Sequence, residues 1–119
     1  MTDEKKTETA KEAATVKKAM ISQPMAGKTD EEIVATRDLA VAKLRQMGYE
    51  VADTLFDFTD EQLGALEVQN APLYYLAISL QAMSRCGCVY FCKGWKDARG
   101  CKIEHEAATA YGLEVIYEQ

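Results

Sequence analysis

The 119 residues allow one domain with one hydrophobic core. Hydrophobic residues at 48% and charged residues at 28% read as soluble and globular. No apolar run approaches the roughly 18–20 residues that span a bilayer, and the polar, charged N-terminus argues against a secretory signal, so a cytoplasmic protein with no membrane partner is expected. The net charge of −5 is unevenly spread: residues 1–18 hold five lysines against four acids, and five of the nine basic residues beyond them (Arg85, Lys93, Lys96, Arg99 and Lys102) lie in one stretch. An acidic protein with one basic loop lacks the broad positive surface that nucleic acid requires, but suits one small anion.

Residues 1–18 carry many charges and few large apolar side chains and read as a disordered tail ahead of a domain over 19–119. Ala19–Ser22 reads as a buried first strand. Thr29, with Glu32 three residues on, has the capping-box pattern and predicts a helix over Asp30–Met47, with Ile33, Ala40, Val41 and Leu44 as its apolar stripe and Gly48 as its stop. Arg37 shares that stripe and is expected to snorkel. Tyr49–Leu55 reads as a second strand. Phe56–Gln69 is irregular, with a turn or two of helix permitted after Thr59. Asn70 can cap a helix that runs through Arg85, with Leu73, Leu76, Ala77, Leu80 and Met83 facing the core. The continuous apolar run Gly87–Cys92 is typical of a strand buried on both faces. Lys93–Arg99 is a loop, a helix follows to Tyr111, and Leu113–Tyr117 is the last strand.

This order predicts an α/β fold: a single three-layer, flavodoxin/Rossmann-like domain around a parallel sheet of about four strands. Ligands of such sheets sit at the carboxyl ends of the strands, at a switch point in strand order. The loops Ser22–Lys28 and Lys93–Gly100 both follow strands and are expected on that one edge.

Four cysteines are present. Alternation puts Cys86, Cys88 and Cys92 on one face of their strand, which allows either a metal site, with His105 as a further ligand, or small reduced core residues. Zinc sites pair cysteines across turns, so mid-strand placement favours the core, and no metal is expected. His105 reads either as a general acid–base group or as a satisfied histidine.

The first loop feeds a helix N-terminus, whose free N–H groups and dipole favour a phosphate or carboxylate. Gly27 would permit close approach and Ser22 could donate a hydrogen bond; ordinary turn chemistry explains the loop as well. In the later helix Ile103, Ala107 and Ala110 are expected to pack on the sheet. Glu104, Ala108 and Tyr111 form the adjoining stripe, and Glu106 points elsewhere. Glu104 is therefore the candidate site carboxylate, against the alternative that Asp97, Glu104 and Glu106 are favourable first-turn or loop charges. Trp95 could stack on a ring or cover the core edge.

The segments Met20–Lys28 (MISQPMAGK), Gly48–Phe56 (GYEVADTLF), Leu73–Trp95 and Asp97–Tyr117 together resemble the nucleoside 2-deoxyribosyltransferase-like superfamily. The resemblance is to a small branch known as a domain of unknown function and common in phages and bacteria. The family's last motif is Gly-x-x-x-Glu-x-Gly-x-Ala; Gly100, Glu104 and Ala108 match it, and Glu106 stands at the second glycine. The resemblance implies Glu104 as nucleophile at the sugar C1′ and a nucleoside or nucleotide ligand, with no cofactor. It also implies a 5′-phosphate near Ser22, Gln23, Met25 and Gly27, and a homo-oligomer. Trp95 and Gly100 complete the expected binding set. Family enzymes carry two aspartates where this chain has Ser79 and Gly87, and Asp97 is expected to compensate in part. A non-catalytic nucleotide-binding module is the alternative that these departures leave open.

Overall fold

The apolar stretch at the head of the domain forms strand β1, Lys18–Ser22, one residue longer at its start than expected. The computed structural model describes residues 17–119; the expected disordered tail lies outside the described residues up to residue 16. Helix α1, Asp30–Gln46, starts where the sequence placed it: the Thr29 hydroxyl accepts from the Glu32 N–H, and the Glu32 carboxylate accepts from the Thr29 N–H. Strand β2 is only Glu50–Val51, much shorter than Tyr49–Leu55. Its ladder ends because Asp53 turns its carboxylate onto the Leu55 N–H, and a side-chain bond of that kind takes the backbone off a strand path. Helix α2, Asp60–Ala65, carries a second capping box, Thr59 with Gln62. Helix α3, Ala71–Met83, is capped by Asn70 and ends two residues before Arg85. Strand β3 is Cys88–Phe91, a 3₁₀ turn covers Trp95–Asp97, helix α4 is Arg99–Ala110, and strand β4 is Glu114–Tyr117.

All pairings are parallel, in the order β2-β1-β3-β4. The chain moves outward from β1 to β2, returns past β1 to β3, and moves outward again to β4. Right-handed crossovers then put α1 on one face and α4 on the other, which makes the sheet the middle of three layers. The core divides accordingly. Ala40 and Leu44 of α1 pack with Ile21, Cys88, Tyr90 and Cys92; Ala108 of α4 and Met83 of α3 pack with Met20, Val89 and Phe91. All four residues of β3 are buried, as its unbroken apolar run predicted.

Three expectations about faces change. Cys86 is not on the face of Cys88 and Cys92. It sits in the turn after α3, where its N–H bonds the Met83 carbonyl, and packs in the opposite half of the core. On α3, Leu73 and Ala77 are exposed, since the helix leans its Leu80–Met83 end on the sheet. Arg37 does not snorkel: it turns inward to the end of β2, donating to the Ala52 carbonyl at 3.2 Å and the Thr54 hydroxyl at 3.4 Å, with Asp53 at 3.6 Å. Among the described residues no helix is long and apolar enough to cross a membrane.

Candidate functional site

The reversal in strand order falls between β1 and β3, so the crevice expected of this topology opens at their carboxyl ends. A cavity of about 850 Å³ lies there, within the range of small-molecule sites. The end of β1 supplies Ser22 and Gln23, and the following loop supplies Pro24, Met25 and Ala26. The chain after β2 supplies Thr54 and Phe56. Helix α3 supplies Tyr75 and Ser79, and the start of α4 supplies Arg99, Gly100, Cys101 and Glu104.

Glu104 is buried at 8% exposure, and the Ser22 hydroxyl donates to its Oε1 at 2.7 Å across 82 residues of sequence. That length is typical of a hydrogen bond to a carboxylate. Burial pushes the Glu104 carboxyl above the usual range, while the Ser22 and Ser79 hydroxyls pull it back. The Cys101 thiol, one turn earlier, is pushed up by burial despite the Ser22 hydroxyl beside it. Glu104 lies on the stripe that faces the sheet, Cys101–Glu104–Ala108, and not beside it: Ile103 is 41% exposed and Ala110 and Tyr111 are exposed. The expected phasing was off by about one position because the apolar Ile103 outweighed the smaller Cys101. Glu106 is exposed, as anticipated.

The helix N-termini at this edge differ, and that of α3 is capped by Asn70, which accepts from the Leu73 N–H. That of α1 is closed by its own capping box and carries Asp30, Glu31 and Glu32 in its first turn, so it does not offer the anion site expected of the first loop. That of α4 has no side-chain cap and no acid in its first turn, and its first internal bond runs from the Lys102 N–H to the Ala98 carbonyl. The N–H groups ahead of Lys102 therefore lack helical partners. Arg99, the one cation of the lining among the described residues, stands beside them.

Of the expected ligand contacts, Ser22, Gln23, Met25 and Gly100 line the cavity. Gly27 does not; its φ of 76° shapes the turn in which the Lys28 N–H bonds the Met25 carbonyl. Trp95 is also elsewhere. It stacks on His105 at 4.0 Å between ring centres, against Phe91 and Tyr117, because an apolar ring in a short loop gains most by folding back on the core edge. Asp97 is exposed beside it and lines a separate depression, away from Glu104 and the cavity. His105 is satisfied: its Nε2 lies 2.6 Å from the Tyr117 hydroxyl. Among the described residues no three His, Cys, Asp or Glu side chains converge as a metal site.

Sequence reasoning missed Phe56 and Tyr75, which supply the aromatic surface assigned to Trp95. The Tyr75 oxygen accepts from the Phe58 N–H at 3.2 Å, and the Phe58 ring packs on it. The Thr54 hydroxyl donates to the Ile21 carbonyl and accepts from Arg37, which fixes the wall of the cavity to the end of β1.

A family model, the domain of unknown function DUF4406, matches residues 17–117. The chain belongs to this family. The match spans all four strands and every residue that lines the cavity described above. No curated protein and no solved structure matches the chain.

Proposed function

We propose that this DUF4406 domain binds a nucleoside or nucleotide and cleaves or transfers its N-glycosidic bond, with Glu104 as nucleophile at C1′. The observation that carries this reading is the Ser22–Glu104 pair, a buried carboxylate held by a hydroxyl in a cavity at the switch point. The resemblance to nucleoside 2-deoxyribosyltransferases supports the assignment residue by residue at Gly100, Glu104 and Ala108. In the reaction a Glu104 oxygen bonds C1′ while the C1′–N bond breaks. The bond's electron pair leaves on the base, which takes up a proton, and water or a second base then displaces Glu104. Ser22 orients the nucleophile. Phe56 and Tyr75 offer faces for the planar base, and the uncapped start of α4 with Arg99 suits a phosphate. The exposed Met25, Leu73 and Ile103 at the cavity mouth favour a homo-oligomer in which a second copy covers this rim, which sedimentation of the purified protein tests.

The test is release of free base from a panel of nucleoside 5′-monophosphates. Wild type should turn over at least one, and Glu104→Gln should slow it by about 10³-fold or more. Inclusion of an acceptor base separates transfer from hydrolysis. Absence of turnover on every substrate, with and without acceptor, sinks the enzymatic reading.

One observation favours a second reading. Among the described residues Glu104 is the only carboxylate lining the cavity; Ser79 and Gly87 stand where the related enzymes have acids, and Asp97 lies outside. A nucleotide-binding module without chemistry fits that lining. It predicts thermal stabilisation by a nucleotide that is recovered intact.

A further inference from the structure

Gln23 has no role in the chemistry above, and its surroundings are unusual. It is 7% exposed and lines the cavity. Its Nε2 donates to the Ile33 carbonyl in α1 at 3.0 Å. Its Oε1 is buried without a hydrogen-bond partner, the one such side-chain atom among the described residues. Reversing the amide would set the oxygen against the Ile33 carbonyl, so the contact with α1 fixes which end is the unsatisfied acceptor. The next residue is Pro24, which has no N–H to give.

The position matters as much as the missing partner. Ser22 is the last residue of β1 and Gln23 follows it directly, so the alternation of the strand carries their side chains to opposite faces of the sheet. Ser22 turns to α4 and bonds Glu104, whereas Gln23 turns to α1 and bonds Ile33. The cavity passes over the strand end between them. A ligand with its reacting carbon at Glu104 straddles β1 and brings its other side to Gln23.

We propose that Gln23 is a specificity-determining residue whose Oε1 accepts a hydrogen bond from an O–H or N–H of the ligand lying across the end of β1 from Glu104. This rests on the nucleotide reading of the cavity and adds to it a required donor on the ligand. For a nucleotide the donor is a sugar hydroxyl or a base N–H. A buried acceptor left unpaired discriminates strongly, because a ligand that lacks the donor leaves it unpaired in the complex as well.

The experiment is calorimetric titration of the full chain with ribonucleoside 5′-monophosphates and their 2′-deoxy counterparts, with ligand integrity followed by chromatography. The best binder is then compared with analogues that lack one sugar hydroxyl or one base N–H at a time. Wild type should show one donor whose removal weakens binding about ten-fold or more, and which analogue fails identifies sugar or base as its source. In Gln23→Met that analogue and its parent should bind within about two-fold, since the acceptor is gone. Equal binding of all analogues by wild type, which needs no variant to fold, overturns the inference, as does undiminished discrimination by Gln23→Met. In either case the nucleotide reading stands. Failure of every nucleotide to bind overturns that reading and this one together.

Discussion

Glu104 carries two opposed influences, burial that favours its neutral form and hydroxyls that favour its charge, and burial is the larger. Between the ordinary glutamate range and its raised folded value, the native state keeps a proton that the unfolded chain has released. The contribution of this group to stability is therefore whole below that window and falls as pH rises through it. Glu104→Gln has no such proton to lose and can still accept from Ser22. Thermal unfolding from about pH 4 to about pH 8 should show wild type losing ground against Glu104→Gln as pH rises, and a difference independent of pH would refute the raised carboxyl. The same shift sets the acid limb of any glycosyl activity above the ordinary carboxylate range, since the nucleophile must be ionised. That the Ser22 loop and the start of α4 share one sheet edge was legible in the sequence, because both follow strands; that the Ser22 hydroxyl bonds Glu104 itself was not. Gln23 was legible as a position only. That its amide turns to Ile33, and so leaves an acceptor unpaired, depends on how α1 leans on β1, which no local pattern records.

Elements were legible where local chemistry decides them. Thr29, Thr59 and Asn70 each accept from a backbone N–H of the first turn, and each helix starts beside its cap. Elements were misread where tertiary contacts decide. Tyr49–Leu55 has strand composition, yet Asp53 and the inward Arg37 end the ladder after Val51. The apolar stripes of α3 and α4 were misphased because Leu73 and Ile103 serve the cavity mouth instead of the core. Of the two readings open for Trp95, the structure takes the cover over the core edge, and the choice was not legible locally because its packing partners His105 and Tyr117 lie in later elements. The caps are also where a prediction at this scale is cleanest. Thr29→Ala removes one half of the α1 capping box and should lower unfolding free energy by about 1 kcal/mol, read as a lower urea midpoint at unchanged slope. Thr29→Ser should restore the midpoint. Loss of stability equal in both variants would show that the methyl group, not the hydroxyl, is what α1 needs.

At the scale of the molecule, β3 joins the two halves of the core to the site. Its residues alternate between them, Cys88 and Tyr90 toward α1, Val89 and Phe91 toward α4. Phe91 is fully buried and is also the floor of the aromatic cluster, with the His105 ring centre at 5.0 Å and that of Trp95 at 5.4 Å. Its removal therefore takes away core volume and the platform on which the loop before α4 rests. Phe91→Ala should cost about 3–5 kcal/mol, a large share of the roughly 5–15 kcal/mol that holds a domain folded. Phe91→Leu keeps most of the volume and should cost less than about 1.5 kcal/mol. Chemical denaturation followed by far-ultraviolet circular dichroism gives the global loss, and fluorescence of Trp95, the only tryptophan, gives the loss at the loop. The two signals should move together in both variants if β3 couples the loop to the sheet. A Trp95 transition that precedes the global one in wild type would show instead that the loop before α4 opens by itself, with the Glu104 helix anchored through Ser22 and the sheet alone.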